Sequence, residues 1–209
     1  MIHALNGFLQ TRNGYYSPHD VYECPPPFTN QISGVDSSPT MIGMAYDNNR
    51  GSIWHGSVYE LGRVWQLPRE IDIIVCRNVL HRLENPELAL QNMYTYLSDN
   101  GKLYIRDVRR DAPWTMLVKR IGKERQGRWL FPELVKDYVG AMANAFTKTE
   151  FSALVANTLM NKNGINYTIT DGEHLRWPTP SHPSTHQLNW TAEYAQETEF
   201  VCVIEKKNG

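Results

Sequence analysis

Ile71-Asp72-Ile73-Ile74-Val75-Cys76-Arg77-Asn78-Val79-Leu80-His81-Arg82-Leu83-Glu84-Asn85-Pro86 reads as a strand, a polar turn and the start of a helix. Ile71 to Cys76 is apolar and β-branched apart from Asp72 and Cys76, the composition of a strand buried on both faces of a parallel sheet. Asn85-Pro86-Glu87 then opens a helix, with Asn as a cap and Pro in the first turn. Leu90, Met93, Tyr94 and Leu97 follow on one stripe, the face such a helix turns toward a sheet.

The same alternation extends in both directions. Downstream, Asn100-Gly101 turns the chain into a strand from Lys102 to Asp107. Upstream, Ile32 to Asp36 is a short strand ending in a carboxylate, and Ser37-Ser38-Pro39 caps a helix carrying Met41, Met44 and Ala45. Ser52 to His55 is a further strand. Pro132 to Ala145 and Thr147 to Leu159 read as helices, the second with Thr147 or Thr149 as its cap. Asn166 to Thr170 and Glu199 to Glu205 read as strands, and the Pro-, Ser- and His-rich stretch from His174 to Trp190 as the long loop between them. The fold class expected is α/β: a Rossmann-like, mostly parallel sheet with helices on both faces and an antiparallel C-terminal edge hairpin. Residues 1–30 are irregular, with Asn-Gly turns and the triple Pro25-Pro26-Pro27 that excludes a helix.

At 209 residues and 41% hydrophobic content the chain suits one globular domain, 1–209. It divides into an N-terminal segment or lid (1–30), a cofactor-binding half (31–107) and a substrate side with the C-terminal hairpin (108–209). A net charge of −1 gives no general attraction to nucleic acid or an anionic membrane. The basic stretch 102–128 suits an anionic substrate or RNA, and equally a solvated surface. The 3 cysteines form neither a disulfide framework nor a zinc pattern, so no metal is expected and a reducing cytoplasm is the natural setting. Cys76 and Cys202 sit in apolar runs as small buried hydrophobes. No apolar run reaches the length of a membrane span, and the N-terminus lacks the apolar region of a signal peptide.

Three pieces in order resemble the class I S-adenosylmethionine (SAM) dependent methyltransferases: Ile32 to Ser38, Ile71 to Pro86, and Asn100 to Asp107. They are similar to that family's second strand with its acidic tip, its fourth strand with the following loop, and its fifth strand; the resemblance runs from about Gln31 to Glu205. It implies that SAM is the cofactor and S-adenosylhomocysteine the product. Asp36 would then hold the ribose hydroxyls beside Ser37, unless it only caps a turn. Ser57 and Val58 would contact the adenine, although the family usually has an acidic residue where Ser57 stands. Arg77 and Asn78 would lie beside the methionine moiety. His81 would be a general base, or alternatively a helix-start or surface residue. Tyr15, Tyr16 and His19 would form a lid, and Arg109, Arg110 and Trp114 would line the acceptor pocket.

One family feature is missing. The chain contains no G-x-G run, which in this family lets the backbone approach the cofactor. That loop follows a central strand lying between the second and the fourth. Three explanations fit the residues. Leu5 to Thr11 supplies a divergent strand with Asn13-Gly14 as a minimal loop; the flanking strands pair directly or a partner chain fills the gap; or a segment between Asn30 and Gln31 is absent from the chain. The functions that follow are a SAM-dependent methyltransferase acting on a small molecule, or a non-catalytic methyltransferase-like binding module, either as a homodimer or a heterodimer. RNA methylation is less favoured, because no Asn/Asp-Pro-Pro-aromatic motif follows Cys76.

Overall fold

The computed structural model describes residues 33–47, 52–64, 67, 70–116, 136, 139–140, 142–160, 165–172 and 198–207. Its strands are β1 (Ser33–Asp36), β2 (Ser52–His55), β3 (Ile71–Arg77), β4 (Leu97–Val108), β5 (Ile165–Asp171) and β6 (Glu199–Lys206). The helices are α1 (Pro39–Asp47), α2 (Pro86–Thr95) and α3 (Lys148–Leu159), with 3-10 turns at Val58–Arg63 and Leu80–Arg82. The expected alternation is therefore present. Of the helix expected over Pro132 to Ala145, Lys136, Val139, Gly140, Met142 and Ala143 are helical among the described residues.

β1 pairs with β2, and β3 with β4, in parallel. β6 runs antiparallel to β4 on one side and to β5 on the other, giving the order β3-β4-β6-β5 and the expected antiparallel edge. Among the described residues β1 and β3 do not pair with each other, so direct pairing across the place of the central strand is not the solution this chain uses. Both sheets nevertheless feed one core. Val35 of β1 and Cys76 of β3 share it with Leu90 and Met93 of α2, Phe151 and Val155 of α3, and Phe200 and Ile204 of β6. Phe151 stacks at a tilt on Phe200, ring centroids 4.6 Å apart. β3 buries its carboxyl half, Val75 and Cys76, while Ile71, Ile73 and Ile74 are half-buried, so the strand is less enclosed than its composition predicts.

Local sequence explains the element ends. Asn85 Oδ1 accepts from Leu88 N at 2.9 Å and caps α2, with Pro86 in the first turn. Thr147, rather than Thr149, caps α3: its hydroxyl accepts from Glu150 N while the Glu150 carboxylate accepts from Thr147 N, a reciprocal capping box. The amide of Asn92 on α2 donates to the carbonyls of Val58 and Tyr59 at 3.0 and 2.7 Å, clamping the first 3-10 turn to the helix that follows β3.

Two boundaries differ from expectation. Leu97 belongs to β4, not to the apolar stripe of α2, and Asn100-Gly101 lies inside β4 rather than before it. The register accounts for this: Ile71 pairs with Leu97 but Ile73 with Lys102, so β4 bulges outward between these partners. Asn100 takes the left-handed conformation in the bulge (φ 62). A Cβ on Gly101 would lie 2.8 Å from Ser98 O and 3.0 Å from Ile71 O, both backbone atoms. Gly101→Ala should therefore cost about 1–3 kcal/mol of stability, the range for forcing extra volume into a packed site. Urea unfolding would show this as a lower midpoint with an unchanged slope.

Candidate active site

The parallel pairs β1–β2 and β3–β4 end at or next to residues that sequence reading singled out. Ligands of open α/β sheets sit beyond such carboxyl ends. At the tip of β1, Asp36 Oδ1 accepts from Ser38 N at 2.8 Å, an Asx turn that fixes the carboxylate, and the exposed Ser37 lies within that turn. Gly56 N donates to Asp36 O at 3.0 Å and carries the β1–β2 pairing one step past the strands. A Cβ on Gly56 would lie 2.5 Å from Val64 Cγ2 and 3.2 Å from Val35 Cγ1, so this turn sits directly on the core. Ser57 caps the first 3-10 turn, its hydroxyl accepting from Tyr59 N at 3.1 Å. Val58 is buried in the main core, and its carbonyl is taken by Asn92.

At the tip of β3, Arg77 is exposed and Asn78 is left-handed (φ 53). Asn78 N donates to Arg106 O at 2.8 Å, extending the β3–β4 ladder. Asn78 Oδ1 is buried and, among the described residues, has no hydrogen-bond partner. A buried acceptor without a donor is costly unless a ligand or water supplies one.

His81 lies on the second 3-10 turn and is buried, so the surface reading does not describe it. Its side chain is 2% exposed and that of its partner Asp107 is 1%. Asp107 Oδ1 is hydrogen-bonded to His81 Nδ1, and Asp107 Oδ2 accepts from His81 N at 3.2 Å. Asp107 Oδ1 also accepts from Val108 N at 2.8 Å. Cys76 is beside this pair; burial, reinforced by the Asp107 charge, pushes its thiol from 9.0 up to about 12. Cys202, buried on β6, is likewise pushed up to about 12 by burial. Both described cysteines are free thiols, as their apolar context predicts.

The residues expected on the acceptor side are engaged elsewhere or lie outside the described residues. Arg109 binds Asp111 with two nitrogens at 2.8 and 3.0 Å and Asp171 with a third at 2.8 Å. The Arg109 hydrogen bonds hold the Asp111 carboxyl below its ordinary value. Lys148 Nζ also donates to Asp171, at 2.6 Å, so β4, β5 and α3 are tied by one charge network. Arg110 pairs with Glu150 of the α3 capping box. Trp114 is 66% exposed. Tyr15, Tyr16, His19, the Leu5 to Thr11 candidate strand and the His174 to Trp190 loop lie outside the described residues.

Asp107 is the residue whose role sequence reading missed. The signal was present in the two-residue alternation of β4, where Leu103 and Ile105 are fully buried and Asp107 falls on the same face. A carboxylate on the core face of a strand needs a buried partner. The neighbouring Arg106–Glu199 pair, with Glu199 also buried, joins β4 to β6 and gave no comparable signal, since its partners are 93 residues apart.

The family model described as "Methyltransferase domain" matches residues 22–158, more than half of the chain. The chain belongs to the methyltransferase domain family. No curated protein sequence matches this methyltransferase domain. Among solved structures, it superposes on the plantazolicin methyltransferase BamL, in complex with a triazolic desmethylPZN analog and SAH, with a TM-score of 0.63 at 15% identity, covering 84% of this chain and 68% of that one. On the plantazolicin methyltransferase BpumL, in complex with a triazolic desmethylPZN analog and SAH, the TM-score is 0.61 at 15% identity, covering 99% of this chain and 84% of that one. Identities this low establish the Rossmann-like methyltransferase fold. SAM is the family's methyl donor. The residues at the strand ends suit it: an oriented carboxylate at the β1 tip, and at the β3 tip a buried amide oxygen without a partner among the described residues, are acceptors for a ligand rich in hydroxyl and ammonium donors. Among the described residues no helix is long and apolar enough to cross a membrane, and no group of His, Cys, Asp and Glu side chains is placed to hold a metal ion.

Proposed function

We propose that this chain methylates a small organic molecule, using SAM bound along the carboxyl edge of β1 to β4. What supports the reading is that Asp36 stands at the end of β1, Asn78 just past β3 and the His81–Asp107 pair at the ends of β3 and β4, with the Asn78 amide oxygen buried and without a partner among the described residues. When bound, SAM supplies a methyl group activated by its positively charged sulfur. Asp36 would accept from the ribose hydroxyls, Ser57 and the backbone around Val58 would border the adenine, and Arg77 and Asn78 would border the methionine end. His81 would take the acceptor's proton. Orientation of the acceptor against the methyl group supplies most of the remaining acceleration. The matched structures that hold a desmethylPZN analog together with SAH support an organic acceptor. Free buried thiols at Cys76 and Cys202 suit the reducing cytoplasm to which we assign the protein. Tyr15, Tyr16 and His19 remain our candidates for a lid over the acceptor, and Trp114 for its rim. Arg109 and Arg110 would serve there only by exchanging their present carboxylate partners.

The lack of a G-x-G run favours a second reading, a methyltransferase-like module that binds a partner without catalysis. Asp36→Ala separates the two. It removes the ribose acceptor and should weaken S-adenosylhomocysteine binding tenfold or more, about 1.4 kcal/mol or above. Calorimetry on both proteins measures this. Equal affinities would place the ribose elsewhere, and no binding to either protein would select the non-catalytic module.

A further inference from the structure

β5 is an edge strand without the usual defences of one. It closes the order β3-β4-β6-β5, and among the described residues nothing pairs with its outer side. Natural edges are kept from pairing by shortness, a bulge, a proline or a charged side chain. β5 spans 7 residues, and its register with β6 is unbroken from Ile165 opposite Lys206 to Asp171 opposite Phe200. Ile165-Asn166-Tyr167-Thr168-Ile169-Thr170 contains neither proline nor charge. The charge of Asp171 is already held by Arg109 and Lys148. The β-branched and aromatic residues of this strand are the types that stabilise cross-strand pairs.

The helix beside this strand is equally bare of charge. Ser152 Oγ lies 3.3 Å from Tyr167 Oη, so that side of α3 rests against β5. Ala156 and Met160 follow Ser152 at helical spacing on the same side, and Met160, which closes the helix, is 74% exposed. Phe151 to Met160 contains no charged residue, whereas a surface helix ordinarily carries charges on its outer face. Strand edge and helix side therefore form one surface depleted of charge, the compositional mark of the centre of an interface.

We propose that this surface joins two copies of the chain, β5 pairing antiparallel with β5 of the second copy about a two-fold axis at Thr168. The strand is complementary to itself in that register. Tyr167 comes opposite Ile169 on the face that packs on the core, and Asn166 opposite Thr170 on the other face, where Thr168 meets its own counterpart. No like charges meet along it. A second copy also suits the edge better than a lone peptide strand. The inner side of β5 needs a helix over it, and each copy brings its own α3 to cover the strand it adds. The axis carries the Ser152, Ala156 and Met160 sides of the two helices toward one another, which removes the exposed Met160 side chains from water.

Sedimentation velocity on the full chain, over a range of concentrations, tests this. The expected result is a dimer for the wild type. Thr168 is exposed, so Thr168→Lys and Thr168→Glu leave the fold intact, but each sets like charges face to face on the axis. Each should raise the dimer dissociation constant roughly hundredfold or more, giving monomers with unchanged circular dichroism. An equimolar mixture of the two should dimerise again, because position 168 then faces the opposite charge. Asn166→Lys mixed with Thr170→Glu reads the same register through a second pair and replaces the first should either Thr168 variant misfold. A monomeric wild type overturns the proposal. So does a dimer that the folded charge variants leave intact, or a mixture that stays monomeric.

Discussion

Asp107→Ala should lower the unfolding free energy by about 3–5 kcal/mol, the usual cost of removing one partner of a buried polar pair. Three donors lose their acceptor together: His81 Nδ1, His81 N and Val108 N. None can turn to bulk water, since His81 and Val108 are both buried. The loss is not the sum of three hydrogen bonds, because relaxation of the Leu80–Arg82 turn recovers part of it. Guanidinium unfolding of the two proteins measures the difference. A loss below 1 kcal/mol would mean that water reaches the pair and that its burial is not what the structure describes. Asp107→Asn keeps the size and one acceptor oxygen, so it should cost clearly less than the alanine variant.

His81→Gln should reduce turnover by roughly 10²–10⁴, the contribution of a positioned general base. Affinity for S-adenosylhomocysteine should stay within about twofold, because the base acts on the acceptor and not on the cofactor. Gln approximates the length of the imidazole and keeps a donor toward Asp107, which limits the structural cost. The comparison that decides is steady-state turnover against cofactor affinity in the same preparation. A parallel loss of both would make His81 a structural prop of the β3 end. Unchanged turnover would mean that the acceptor sheds its proton without a base.

Much of the fold was legible because its signals are local. The Ile71 to Pro86 stretch announced strand, turn and helix in order, and the structure places β3, the Leu80–Arg82 turn and α2 there. Thr147 was legible as one of two caps for α3, and the reciprocal bond from Thr147 N to Glu150 appears only in the structure. The boundary of β4 was not legible, because Asn100-Gly101 is equally the signature of a turn between elements and of a bulge within a strand. Leu97 was assigned to the wrong element for a related reason: it continues the helical stripe of α2, while its burial comes from the sheet.

The site was legible in its types of residue and not in their partners. Asp36, Ser57, Asn78 and His81 were singled out through the family resemblance, and the structure places them at or just beyond strand ends. That Asp36 would bind its own turn through Ser38 follows from the Asx propensity of the residue, and is compatible with a second ligand on a carboxylate. The pairing of His81 with Asp107, 26 residues away, depends on the β3–β4 register, which no local pattern specifies. The engagement of Arg109 by Asp171 depends on β4 and β5 ending level with each other across the start of β6, again a tertiary fact. Charge alone had suggested an anion site there, and the structure pairs those cations within the protein.

As a methyltransferase of the kind proposed, this chain holds the cofactor at the carboxyl ends of β1 to β4 without a G-x-G loop. Titrating S-adenosylhomocysteine into the 15N-labelled full chain and following the backbone amides tests it most directly. The account predicts saturable one-to-one binding with the largest shifts at Asp36 to Ser38, Gly56 to Val58 and Asn78 to His81, and small shifts along β5. Absence of saturable binding, or shifts gathered on β5 and β6 with those three turns unmoved, would contradict it.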